Sequence, residues 1–295
     1  MRTLTLYITE ALAGREVKSL LAHELRMSGS LIARIKWRSS GILLNGVRVY
    51  TNARVRTGDT LVAEVGDDAS RPGPAPMQAP LDILWEDADI LILNKPADMV
   101  VHTSTRGPNE LTVENVLAAH LAPGEYPHPV SRLDRGTTGI MTLAKNGYMH
   151  ELLRQQLHTP AFRREYRAIA VGRVTPPCGR IDLPIGMAPG STYQHAICQG
   201  GAPSHTEYET LQYCDGLTLL RLTPHTGRTH QLRLHMAAVG YPLLGDWLYG
   251  TADANRIARP ALHSYELWLT HPLTGEELHW VAPLPKDMQS LFPAL

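Results

Sequence analysis

Residues 66–80 read Gly-Asp-Asp-Ala-Ser-Arg-Pro-Gly-Pro-Ala-Pro-Met-Gln-Ala-Pro. Pro72, Pro74, Pro76 and Pro80 each remove a backbone donor, so neither a helix nor a central strand passes through this stretch. An extended linker is expected here. It divides the 295 residues into a front domain, 1–65, and a larger domain, 81–295. Charge divides at the same place. Lys+Arg and Asp+Glu balance at 28 each, but residues 1–65 hold 10 of the cations and 5 of the anions, leaving 18 and 23 beyond them. A basic module on a neutral chain suggests a polyanion-binding unit attached to something else.

Within the front domain, residues 3–8 alternate like an edge strand. Val17, Leu20, Leu21 and Leu25 give residues 15–27 a helical spacing. A second helix should turn Leu31, Ile32 and Ile35 inward and Arg34, Lys36 and Arg38 outward. Asn45-Gly46 between two short apolar runs is a hairpin signal, and Thr60 to Val65 forms a last strand. The pattern of residues 14–65 resembles the small RNA-binding domain named after small-subunit ribosomal protein four. The match rests on Leu20-Leu21, Ser30-Leu-Ile, Asn45-Gly46 and Gly58-Asp59.

Beyond Leu81 the chain reads as many strands and few helices without regular alternation. Strands are expected at 83–86, 90–94, 139–144, 165–171, 206–213 and 217–223, and helices at 112–121, 148–157 and 228–238. This pattern implies an α+β domain with a mostly antiparallel sheet.

Four segments carry the chemistry. Asn94-Lys95-Pro96 leaves a strand. Ser131-Arg132-Leu133-Asp134-Arg135 places one carboxylate between two guanidinium groups, and an ionised, oriented carboxylate serves as nucleophile or base. Arg164-Glu165-Tyr166 begins a strand. Thr226-Gly-Arg228-Thr-His230-Gln-Leu-Arg233-Leu-His235 runs from a loop into a helix. Cations near a helix start gain nothing from its dipole, so Arg228 and Arg233 require a polyanion or a buried carboxylate. The spacing of His225, His230 and His235 does not put the three on one helical face, so no metal site is expected.

These motifs resemble the RluA family of RNA pseudouridine synthases, together with Gly240-Tyr-Pro242-Leu-Leu-Gly245-Asp246-Trp-Leu-Tyr249-Gly250, Ala261-Leu-His263-Ser264 and His271-Pro272-Leu-Thr274-Gly275-Glu276. The resemblance spans Leu81 to about Ala282. It implies a pseudouridine synthase fold with a central cleft, and it implies roles at the matching positions. Asp134 is the catalytic aspartate, attacking or deprotonating the target nucleoside. Tyr166 stacks on the uracil. Arg233, rather than Arg228, pairs with Asp134. Arg132, Arg135, Arg228, His230 and Lys95 contact RNA, joined by Arg34, Lys36 and Arg38 of the front domain. The chain departs from the family pattern at Ser131, where histidine is usual, at Thr138 and Gly136, and at Ala97-Asp98.

The implied activity is isomerisation of uridines in structured RNA, ribosomal or transfer, to pseudouridine. No cofactor is expected, because the chain has neither a phosphate-binding glycine loop nor a dinucleotide fingerprint, and the reaction needs neither a redox step nor a metal. Two other readings compete. One is a non-catalytic RNA-binding protein of this fold. The other is a nucleoside glycosylase or hydrolase, which usually needs a second carboxylate or a metal. Cys178, Cys198 and Cys214 are far apart, which fits a reducing cytoplasm. No apolar run is long enough to span a membrane, and nothing calls for an obligate protein partner.

Overall fold

The computed structural model describes residues 2–67, 73–103, 110–123 and 125–292. The front of the chain forms β1 (Thr3–Tyr7), α1 (Val17–His23), α2 (Gly29–Ile35), β2 (Ile42–Leu44), β3 (Val47–Arg48) and β4 (Thr60–Glu64). Its antiparallel sheet has the order β1-β4-β2-β3. The Ser28 hydroxyl accepts the Leu31 N–H at 3.2 Å and starts α2. Asn45 (φ 52) and Gly46 (φ 79) supply the two left-handed residues of the hairpin turn. The first helix is shorter than the apolar spacing suggests. Arg26 turns left-handed (φ 50) and the Met27 N–H bonds back to the Leu21 carbonyl, so the chain leaves the helix at His23.

The larger part contains β5 (Asp82–Glu86), β6 (Ile90–Lys95), α3 (Val113–His120), β7 (His128–Pro129), β8 (Thr138–Ala144), α4 (Gly147–Gln156), β9 (Phe162–Val171) and β10 (Cys178–Asp182). It continues with β11 (Ile185–Met187), β12 (His195–Ile197), β13 (His205–Cys214), β14 (Leu217–Pro224), α5 (Gln231–Ala238), β15 (Leu262–Thr270), β16 (Glu277–Val281) and α6 (Lys286–Gln289). The main sheet runs β10-β13-β14-β9-β15-β8-β6-β5, with β16 beside β15 and β7 beside β8. Within it, β8–β15 pair in parallel and the other pairs are antiparallel. The fold is thus the expected α+β class. Strands β10, β11, β12, β15 and β16 had no clear alternation to announce them.

Strand β6 shows how the core is arranged. Ile90 and Ile92 pack on one face, with the front module and with Tyr148 and Leu152 of α4. Leu91 and Leu93 pack on the other face, with Met141, Leu143 and Tyr166. A strand covered on both sides must be apolar throughout, and that is why Ile-Leu-Ile-Leu is unbroken. The front module shares this core. Its Val17, Leu20, Leu21 and Ile35 are fully buried in the same cluster, Tyr148 donates its hydroxyl to the Leu25 carbonyl at 2.8 Å, and Arg2 pairs with Asp89 at 2.8 Å.

The described parts of 66–80 carry neither helix nor strand and are fastened down. Asp67 pairs with His128 at 2.8 Å and accepts the Gly147 N–H at the start of α4. The Ala75 carbonyl accepts from the Asn115 amide at 2.7 Å, and the Met77 N–H donates to the Asn115 carbonyl. Pro72 lies outside the described residues, as do residues 104–109 of the loop at 103–110.

The parallel pair places the Asp134 loop. Ser264 of β15 sits opposite Gly139 on one side and Tyr166 on the other. Gly139 has φ +104, and a Cβ there would lie 2.2 Å from the Ser264 carbonyl oxygen. Only glycine lets the two backbones approach this closely. Beside it, His263 Nδ1 accepts the Thr138 hydroxyl at 2.7 Å and Nε2–H donates to the Ala282 carbonyl at 3.2 Å. The threonine that departs from the family pattern therefore keeps the hydroxyl this bond requires.

Burial pushes His263 down to about 4 from its ordinary 6.5. A folded value below the unfolded one means that the unfolded chain binds the proton first. This stability is complete above pH 6.5 and is lost as pH falls toward 4. The shift corresponds to roughly 3 kcal/mol. Unfolding free energies of the wild type and His263→Gln from urea titrations between pH 7 and 4 should diverge by about that amount across the window, with the wild type the more acid-sensitive. Parallel curves would contradict the assignment.

Candidate active site

A cleft of about 670 Å³ opens between the Asp134 loop, β9, α4 and the start of α5. Its size suits a nucleotide. Arg132, Arg135, Arg154, Arg164, Arg228 and Arg233 line it, and Asp134 is the one carboxylate among the described residues that do so. Burial lowers His150 and His158 at the wall, so these rings favour the neutral form and the arginines supply the positive potential.

Asp134 does not pair with the arginines that flank it in sequence. Arg132 is exposed on the cleft wall, and Arg135 turns to Glu110 at 2.5 Å. The nearest cation to Asp134 is Arg233 of α5, with Nη1 at 3.7 Å from Oδ2. Arg233 is 5% exposed and is held elsewhere, by a two-pronged bond to Asp246. Its Nε and Nη2 each donate at 2.7 Å to the two oxygens of that carboxylate. Asp246 is fully buried and also accepts the Leu248 and Tyr249 N–H groups at 3.1 Å. Burial alone would raise the Asp246 carboxyl, but the Arg233 guanidinium and the two N–H groups outweigh it and hold it below the usual range. Arg233 is thus a cation fixed by one carboxylate and presented to another. The carboxylate that cations at this helix start require is Asp246.

Helix α5 begins later than its apolar pattern suggests. His230 takes a left-handed conformation (φ 56, ψ 18) as the residue before the helix. The Gln231 side chain closes the loop ahead of it, accepting the Arg228 N–H and the Thr226 hydroxyl and donating to the His205 carbonyl. Arg228 therefore sits on an exposed loop and not on the helix, which removes it as a partner of Asp134. Of the three spaced histidines, His235 is buried against Thr206 and the Leu183 carbonyl, His225 pairs with Glu207, and only His230 approaches Asp134.

Two expected RNA contacts are corrected. Lys95 is 1% exposed. Its ammonium donates to the carbonyls of Pro96 and Met99 at 2.7 Å and of Arg135 at 3.2 Å. Burial pushes it down to about 7. It braces the Asp134 loop from below and reaches no solvent. Arg259 braces the next residue, donating to the Gly136 carbonyl at 3.1 Å. Arg38 is also committed, to Glu64 at 3.1 Å and to the Gly66 carbonyl at 2.8 Å. Arg34 stays exposed, and Lys36 lies over the ring of Trp37, itself 72% exposed.

Lys95→Met should take the donor from the Pro96, Met99 and Arg135 carbonyls, the Met99 one buried. The expected cost is about 2–3 kcal/mol, read as a lower denaturation midpoint, with slower turnover and unchanged RNA affinity. A loss of RNA affinity would restore Lys95 to the contact surface.

Tyr166 is 6% exposed on β9 and shows its side chain to the cleft. Ser131, the departure beside Arg132, is half-buried on the same wall. Gly136, another departure, packs where a Cβ would stand 2.9 Å from Pro260. Asp246, Tyr249 and the bracing role of Lys95 were the features sequence reasoning missed. Asp246 and Tyr249 lay inside a motif noted for its order and not for its chemistry.

Residues 89–238 match the family model described as RNA pseudouridylate synthase. An uncharacterized RNA pseudouridine synthase of Bacillus subtilis is 34% identical over 272 residues, 92% of this chain and 96% of that one. Ribosomal large subunit pseudouridine synthase D of Escherichia coli is 38% identical over 236 residues, 75% of this chain and 72% of its own length. Among solved structures, human RNA pseudouridylate synthase domain containing 1 superposes with a TM-score of 0.59 at 26% identity, over 72% of this chain and 86% of that chain.

Proposed function

Since the chain belongs to the RNA pseudouridylate synthase family, it is an RNA-modifying isomerase, and we propose that it acts on ribosomal RNA with Asp134 as the reacting group. The observation that carries this reading is a carboxylate, the one among the described residues of the cleft, fronted by a fixed guanidinium, with arginines as the other charged groups of the wall. The target base must leave its stack to reach a group at this depth. Tyr166 offers the flipped uracil an aromatic face.

In the isomerisation the N1–C1′ bond breaks and a C5–C1′ bond forms. N1 gains a proton and C5 loses one. Asp134 serves either as nucleophile toward the sugar or as the base that starts elimination. Arg132 and Arg228 on the rim hold the phosphates, with Arg135 beside them. Ribosomal RNA is favoured over transfer RNA by the several relatives named for the large ribosomal subunit. We read residues 1–65 as the recognition module, with Arg34, Lys36 and Trp37 on its RNA face. Three free cysteines favour a cytoplasmic setting, and no helix among the described residues is long and apolar enough to cross a membrane.

The test is incubation of the protein with unmodified large-subunit ribosomal RNA and with transfer RNA, followed by mapping of pseudouridine. Product in ribosomal RNA alone is the expected result. Product confined to transfer RNA would overturn the substrate assignment, and released uracil would mark a hydrolase.

A further inference from the structure

We propose that His230 is a positioning residue for Asp134, its Nε2–H turned onto the carboxylate by the hydroxyl of Tyr249, and that it is not an RNA contact. His230 Nε2 lies 3.9 Å from Asp134 Oδ1, on the carboxylate oxygen that Arg233 does not face. Its other nitrogen, Nδ1, is 2.8 Å from the Tyr249 hydroxyl. That hydroxyl already accepts the His195 backbone N–H at 3.3 Å. In this proposal the hydroxyl gives its one proton to His230 Nδ1, which leaves the imidazole proton on Nε2, facing Asp134. The tautomer is set by a chain of three groups: β12 backbone, tyrosine hydroxyl, imidazole.

The surroundings support a held ring. His195 meets it edge-on at 6.2 Å and Tyr249 at 5.5 Å, and the Arg233 guanidinium lies 5.1 Å over the Tyr249 ring. Burial favours the neutral ring, opposed by Asp134. The backbone supplies a second, independent observation. His230 is left-handed, a conformation that costs an ordinary L-residue roughly 1 kcal/mol and that glycine adopts freely. Strain of this kind is held where surrounding structure demands a particular side chain direction. At 3.9 Å the contact is a charge–dipole approach, too long for a hydrogen bond. Such geometry tightens when substrate closes the site.

The consequence is that Asp134 is faced on its two oxygens by two side chains from the start of α5. Arg233, anchored on Asp246, holds Oδ2, and His230, anchored on Tyr249, holds Oδ1. Both anchors lie in one short segment, and Tyr249 ties it to the β11–β12 hairpin. The proposal rests on Asp134 being the reacting group.

The test measures kcat and RNA Kd separately, with unmodified large-subunit ribosomal RNA made by transcription as the probe. His230→Ala should lower kcat about 10- to 100-fold, the scale of a misplaced reacting group, with Kd unchanged. His230→Gln, whose amide places an N–H where Nε2–H stood, should recover most of the loss. Tyr249→Phe, which loses only the hydroxyl, should lower kcat about tenfold. If His230→Ala fails to fold, Tyr249→Phe decides alone. Unchanged kcat in Tyr249→Phe, or a loss in His230→Ala that falls on Kd and is not restored by Gln, overturns the proposal. Asp134→Asn in the same assay separates the two levels: product from that variant overturns the Asp134 reading itself.

Discussion

Asp134→Asn is expected to abolish pseudouridine formation, by roughly four orders of magnitude or more, the scale on which an enzyme loses a reacting group. The substitution keeps shape and volume and removes the charge. Its cost to the fold should be small. The carboxylate is 29% exposed and its nearest cations stand at 3.7 and 3.9 Å, so no short ion pair is lost. RNA affinity should hold or rise slightly, because the one anion in a cationic cleft has gone. Three measurements decide the matter together: single-turnover product formation, filter binding of ribosomal RNA, and the thermal midpoint. A variant that folds and binds yet turns over at more than a few per cent of the wild-type rate would show that Asp134 is not the reacting group.

The second large effect concerns stability. Asp246→Ala leaves the Arg233 guanidinium buried with its fixed partner gone. Breaking a buried pair from one side costs about 3–5 kcal/mol. The expected result is a large fall in denaturation midpoint, and loss of activity as Arg233 swings toward Asp134 or the helix frays. Replacing both partners separates the two consequences. Arg233→Met with Asp246→Leu fills the space with apolar groups and should regain most of the stability. Activity should stay absent, because nothing then faces Asp134 Oδ2. If the double variant recovers turnover, the pair is structural and Arg233 has no part in catalysis.

These two residues show how far the sequence could be read. Asp134 was legible from local chemistry together with the order of distant motifs. Arg233 was legible because cations at a helix start demand a carboxylate. Which carboxylate was not legible, since Asp246 lies 13 residues on in a turn with no periodicity. Lys95 misled for a related reason. A Lys-Pro after a strand resembles an exposed strand end, and only the return of the Met99 and Arg135 carbonyls over it makes the site a buried cage. Arg38 looked outward on the helical spacing, but Glu64 arrives from β4 and takes it. Of the strands the pattern did not announce, β10–β12 and β16 are short or lie at sheet margins, whereas β15 is central and is interrupted by polar His263, Ser264 and Glu266. The left-handed turn at His230 is a backbone state that no spacing rule encodes.

The single parallel pairing in the main sheet has a consequence for how the molecule is made. Strand β15 lies between β9, which carries Tyr166, and β8, which follows the Asp134 loop. Before residues 262–270 leave the ribosome, the sheet exists as two unjoined halves, each holding part of the cleft. The stretch 89–238, which already contains Asp134, Tyr166 and Arg233, includes neither this strand nor Asp246. Closing such a long loop is slow compared with forming local hairpins. In a nascent chain the Asp134 loop and Tyr166 are thus tied into one sheet only once β15 has been made.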